Sequence, residues 1–201
     1  MNRMFDGASA FNQDLPDWDV GSVTSMRNMF ADATAFNGDI STWNVSSVTD
    51  MRVMFFRAEN FNQDIGNWNV GLVTNMENMF RDATAFNQDL NWNVSSVTKM
   101  NSMFRNATNF NGDISGWDVS AVENMIRMFS SASTFNQDLP NWDVSKVNNM
   151  RNMFADATAF NGDIINWDVD LVTDMQTMFF GAENFNQNIG NWNVGNVTNM
   201  A

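Results

Sequence analysis

One phrase recurs through this chain, and its period decides what the chain can fold into. Phe stands at 11, 36, 61, 86, 110, 135, 160 and 185, spaced by 25 residues except for one 24-residue step from Phe86 to Phe110. Trp keeps the same rhythm at 18, 43, 68, 92, 117, 142, 167 and 192. A unit of this size cannot bury an apolar face alone, so eight of them must stack on one another. The residue missing from the short step lies between Leu90 and Trp92, where other units place two residues. A length change there reads as a surface turn.

The hydrophobic period changes inside each unit. In "VTSMRNMFADATAF", Met26, Met29, Phe30, Ala33 and Phe36 fall at offsets 0, 3, 4, 7 and 10. At about 100° per residue they form one stripe, which predicts a short amphipathic helix with Thr24 near its N-cap. In "LPDWDVGSV", Trp18 and Val20 alternate with Asp19, which predicts a short strand, parallel to its copies in the neighbouring coils. The expected fold class is therefore a right-handed α/β repeat solenoid, with a short parallel strand and a short helix in each coil. Residues 1–201 read as one array of about eight coils, cut within a repeat at both ends and taken as a segment of a longer protein. A second periodicity is superimposed: residues 11–35 match 135–159 at 20 of 25 positions, as if a five-coil block had been copied at an offset of 124.

Composition narrows the function classes. There is no His, Cys or Tyr, so disulfides, thiolate nucleophiles and imidazole chemistry are excluded. Every unit repeats the same carboxylates, whereas an active site needs one asymmetric cluster, and no glycine-rich phosphate loop appears. The expectation is a protein that is not an enzyme. A net charge of −13 argues against nucleic acid and against anionic membrane surfaces. No apolar run approaches the roughly 18 residues of a membrane span. The charge is one-sided. From each Phe through the second Val there are thirteen acidic residues against one basic, Lys146, so that half carries −12 of the total. The other half holds ten acidic and nine basic residues, with every Arg of the chain on the face predicted to be outside.

Stacking converts each position into a row. Asn12 begins an Asn row expected to bond turn backbone and neighbouring amides. Asp14, Asp39, Asp64, Asp89, Asp113, Asp138 and Asp163 form an acidic row, and Asn188 closes it. Asp19, Asp118, Asp143 and Asp168 belong to a second row shared with Asn44, Asn69, Asn93 and Asn193. Carboxylates one coil apart repel by about 0.9 kcal/mol per pair even in water, so something must offset that cost. Backbone N–H donors could do so, each Asp capping its own turn. So could a hard cation, which makes both rows candidate Ca²⁺ ligands.

The phrase "FNQDIGNWNVGLVTNMENMFRDATA" at 61–85 resembles the roughly 25-residue repeat of bacterial surface proteins and mycoplasma-type lipoproteins, grouped as BspA-like. The resemblance covers the whole chain. It implies a leucine-rich-repeat-like solenoid displayed extracellularly or on a cell surface, and supplies no catalytic residues. Two functions follow as expectations. One is a repeat scaffold for protein or glycan interaction and adhesion; the other is an acidic solenoid that binds Ca²⁺ or a mineral surface. End-to-end self-association is expected of the terminal coils, whose apolar faces each resemble half of an interior contact.

Overall fold

The computed structural model describes all 201 residues, and it contains neither the helix nor the strand expected of each coil. The stack itself is plain from the backbone. Met26, Asn28, Phe30 and Asp32 donate their N–H groups to the carbonyls of Asp50, Arg52, Met54 and Phe56 at 2.7 to 3.2 Å, and the pattern recurs from coil to coil. One residue per coil forms a parallel bridge to the next, in the series Ser25, Asp50, Asn75, Lys99, Asn124, Asn149, Asp174 and Asn199. These bridges are single residues, and they do not fall at the Trp–Val segment.

The predicted helix is a pair of turns. Met29 N–H donates to the Met26 carbonyl at 3.1 Å and Ala33 N–H to that of Phe30 at 3.2 Å. The third residue of each turn has a left-handed backbone, with φ of 57° at Asn28 and 56° at Asp32, the signature of a type II turn. A third turn runs from Ala33 to Phe36 at 2.9 Å. Helix formation would have consumed the N–H groups of residues 28, 30 and 32 within the segment. Here the next coil takes them. The spacing 0, 3, 4, 7, 10 belongs equally to consecutive four-residue turns, whose first and last residues point inward. Met26, Met29, Phe30, Ala33 and Phe36 are all buried.

The predicted strand is also a series of turns. Trp18 N–H donates to Leu15 and Val23 N–H to Val20. Between them the Asp19 carboxylate accepts the Gly21 N–H at 3.0 Å, a side-chain bond that stands in for a ladder bond. The right-handed α/β solenoid, and with it the leucine-rich-repeat-like strand and helix per coil, is therefore corrected to a stack of coils made almost wholly of turns.

Inside, the rows are aromatic and sulfur-rich. Of 65 buried residues only Ser130 is polar. Within the coil of Phe30, its ring stacks on Phe36 at 4.0 Å, and along the stack it meets Phe55 at 5.7 Å. Trp43 and Trp68 repeat at 6.4 Å. Each interior indole donates Nε1–H to a carbonyl of the preceding coil, as Trp117 does to Leu90 at 2.7 Å and Trp167 to Leu139 at 3.0 Å. In the short coil one residue separates Leu90 from Trp92, so the Leu-to-Trp turn is lost, yet Trp92 stays 3% exposed and bonds Ile65 at 2.9 Å.

Left-handed backbone recurs twice per coil, and fourteen such residues are not glycine, with φ from 52° to 63°. Asn, Asp and Ser fill most of them, as their short side chains allow. Val53 is β-branched and strained at φ 63°, while the equivalent Asn28, Asn78 and Asn152 sit there at 56° to 57°. Val53→Asn should therefore stabilise the fold by about 1 kcal/mol, raising the melting temperature by about 2–4 °C. A lower melting temperature than the parent's would mean that the Val53 side chain contributes more by packing than it costs in strain.

Candidate functional site

The polar rows on the Phe-to-Val half are the surface that the sequence singles out, and each has a bonding pattern. The Asn row is a continuous ladder. Asn12 Oδ1 accepts the Asn37 N–H at 2.7 Å, Asn37 that of Asn62 at 2.9 Å, and the series runs without a break to Asn161 and Asn186 at 2.8 Å. Gln side chains brace it from outside: Gln63, Gln137 and Gln187 donate Nε2–H to the carbonyls of Asn37, Asn111 and Asn161 at 2.6 to 2.7 Å.

The Asp14 row divides in two. Asp14, Asp89 and Asp138 each lend Oδ1 to the next coil, accepting the N–H of Asp39, Asp113 and Asp163 at 2.8 Å. Asp39, Asp64, Asp113 and Asp163 instead close their own turn, accepting the N–H two residues on at 2.9 to 3.0 Å. Asn188 does the same with Gly190 at 3.2 Å. The second row is uniform. Asp19, Asp118, Asp143 and Asp168 accept from Gly21, Ser120, Ser145 and Asp170 at 3.0 to 3.1 Å, and the Asn members Asn44, Asn69, Asn93 and Asn193 repeat the bond. Backbone donors thus offset part of the repulsion along these rows. Nowhere do three acidic side chains converge as the shell of one ion.

Hydroxyls add to the effect. The Ser41 hydroxyl and then its N–H hold Asp39 below the usual carboxylate range; the Ser115 N–H and then its hydroxyl do the same for Asp113. Ser120 lowers Asp118 and Ser145 lowers Asp143, in each case chiefly through the side chain. Groups whose folded pKa lies below the unfolded value contribute stability above the unfolded value of about 3.9 and lose it as pH falls through the folded one. The melting temperature should accordingly hold between neutral pH and about 5, and fall progressively below about 4. A rise in mild acid would mean that repulsion between carboxylates outweighs their bonds to the backbone.

Three hollows interrupt the regular surface, one of them about 350 Å³ and lined by Ser115, Asp118, Asn141 and Asp143. A cavity of about 270 Å³ lined by Asn91, Trp92, Asp113, Gly116 and Trp117 marks the short coil. At the last coil Met178, Phe179, Ile189, Trp192 and Met200 line an open apolar hollow of about 600 Å³, the side that interior coils cover with a neighbour.

The arginines of the other half divide into paired and unpaired residues. Four Arg are paired: Arg3 with Asp6, Arg52 with Asp50, Arg57 with Asp32 and Arg81 with Asp82. Arg27, Arg105, Arg127 and Arg151 have no carboxylate within ion-pair distance, and Arg105 lies close enough to Arg81 and to Arg127 to feel the charge of each. The sequence carries a signal of this: the turn segment 98–109 holds Lys99 and Arg105 and no acidic residue.

No helix is long and apolar enough to cross a membrane. No curated protein matches the chain. One family profile matches it three times, over residues 1–91, 90–170 and 138–201, which together take in every coil. A tandem-repeat protein by its sequence and by its stacked backbone, the chain belongs to the family described as Mycoplasma protein of unknown function, DUF285.

Proposed function

We propose that the chain is a non-enzymatic repeat scaffold, displayed outside the cell or at its surface, that engages a protein or glycan partner along its polar rows. The observation that supports this reading is the regularity of those rows. The Asn ladder repeats one amide and the Asp19 row one side-chain oxygen, from Asp or Asn, at every coil, and a backbone N–H fixes each oxygen in place. Rigid, periodic donors and acceptors suit an extended partner bound at several coils at once, where weak contacts multiply into avidity. The resemblance of "FNQDIGNWNVGLVTNMENMFRDATA" to surface-protein repeats agrees with display outside the cell.

Antibodies raised against the chain test the display. Labelling of intact source cells is expected, and labelling that appears only after permeabilisation would sink the surface reading. Binding to the rival ligand, calcium, is separable by thermal melting. One oxygen of each row carboxylate described above is already committed to a backbone N–H, so millimolar Ca²⁺ is expected to leave the melting temperature unchanged. An upward shift would favour the cation-binding alternative.

A further inference from the structure

We propose that Arg81, Arg105 and Arg127 form a binding site for a small soluble phosphate-type dianion. Three successive coils bring these residues together. Asp82 N–H donates to the Arg105 carbonyl at 2.8 Å, which places Arg81 and Arg105 at equivalent positions one coil apart. Asn106 N–H donates to Ser130 at 2.8 Å, and Ser130 N–H to Arg127 at 3.2 Å, so Arg127 rises from the following coil across the same corner.

The fold supplies one carboxylate, Asp82, against these three guanidiniums. A second carboxylate on this face, Glu77, is engaged elsewhere. Glu77 accepts from the amides of Asn75 and Asn101 at 2.9 and 3.1 Å. Asp82 accepts from the Asn106 amide, pairs with Arg81 and offsets part of the charge felt at Arg105. Arg81 Nε is closed off from solvent and lies 3.2 Å from Asp82 Oδ2 at an angle that makes no hydrogen bond, while its guanidinium rests over the Phe56 ring at 5.2 Å. Burial, and then the charges of Arg81 and Arg127, weaken the hold of Arg105 on its proton, and Asp82 offsets only part of this.

The chemistry selects the ligand. A guanidinium fork offers paired N–H donors that match two oxygens of a tetrahedral oxyanion. Three forks from three coils exceed what a carboxylate with two oxygens can accept, and a dianion offsets more of the crowded charge. The acidic half of the surface, with thirteen carboxylates against one Lys, repels an anionic bilayer and favours a small ligand in solution.

The test is a titration of the 201-residue chain with inorganic phosphate at neutral pH in low chloride, read from the Nε–H signals of its eight Arg by NMR. Saturating shifts with one shared Kd are expected at Arg81, Arg105 and Arg127, with Arg27 and Arg151 unmoved. Arg105→Gln should weaken binding at least tenfold while melting at the parent's temperature in phosphate-free buffer, and Arg27→Gln should bind as the parent does. Equal shifts at all eight Arg, or no saturation, would overturn the site. Co-sedimentation with phosphatidate vesicles as tight as binding of free phosphate would overturn the assignment to a small soluble ligand.

Discussion

Trp92→Ala is expected to lower stability by about 3–5 kcal/mol, the range for emptying a large aromatic site in a packed core. Trp92 is 3% exposed, lies 6.2 Å from Phe80 and 6.3 Å from Trp117 between ring centres, and donates Nε1–H to the Ile65 carbonyl. Truncation opens a cavity between two coils and leaves that carbonyl with the Trp68 N–H as its remaining donor. The position magnifies the loss. Its coil lacks the Leu-to-Trp turn that braces this corner in the other interior coils, while the indole's bond to the preceding coil remains. Because each coil touches only its neighbours, damage in the middle severs the array into two shorter stacks. Chemical denaturation should show a lower midpoint, and a less cooperative transition if the halves separate. Trp92→Phe, which keeps a ring and removes the N–H, should cost less, about 1–3 kcal/mol. A Trp92→Ala variant melting within a degree or two of the parent would show that the Trp row is not holding the stack together.

The stack and its core are legible in the repeat alone, because identical apolar residues at one period can be buried only by stacking. Phe30, Phe36, Met26 and Trp43 lie inside as that argument requires. The Asn12 row likewise bonds turn backbone along the stack, as its residue type and period suggest. Local conformation is less legible because two geometries share one spacing. Met26, Met29, Phe30 and Ala33 fit a helical stripe and also fit the inward ends of two type II turns. What separates them is the third turn residue: Asn28, Asp32, Asn78 and Asp82 are types that accept left-handed backbone, and they recur every fourth position. Trp18 and Val20 fit a strand until Asp19 is weighed as the head of a turn closed on Gly21. The arginine cluster is harder to see. Pairing on a stacked surface depends on which residues adjoin across coils, and Arg57 pairs with Asp32 a full coil away while Arg105, near Asp82, forms no ion pair.

Gly112→Ala should be the most damaging of the small substitutions, near or above the upper end of the roughly 1–3 kcal/mol typical of overpacking. Its backbone is not left-handed, so the demand for glycine is one of space. A Cβ at 112 would stand 2.1 Å from the Gln88 carbonyl oxygen and 2.7 Å from its carbon, both backbone atoms of the preceding coil. Gly38 and Gly162 meet Gln13 and Gln137 in the same way, at 2.1 Å to the oxygen. These are the three coils whose following Asp donates its N–H to the preceding carboxylate, Asp39 to Asp14, Asp113 to Asp89 and Asp163 to Asp138. The close approach and the bond are two aspects of one arrangement: the preceding coil leans in, its Asp reaches across, and only glycine leaves room. An added methyl must push the coils apart and lengthen the bond from Asp113 to Asp89. Gly116, four residues on, is the control, because a Cβ there meets no atom within 4 Å. Gly116→Ala should stay within about 0.5 kcal/mol of the parent. If Gly112→Ala proves equally benign, the coils part here at little cost, and the contact of Asp89 with Asp113 is incidental to the stack rather than one of its constraints.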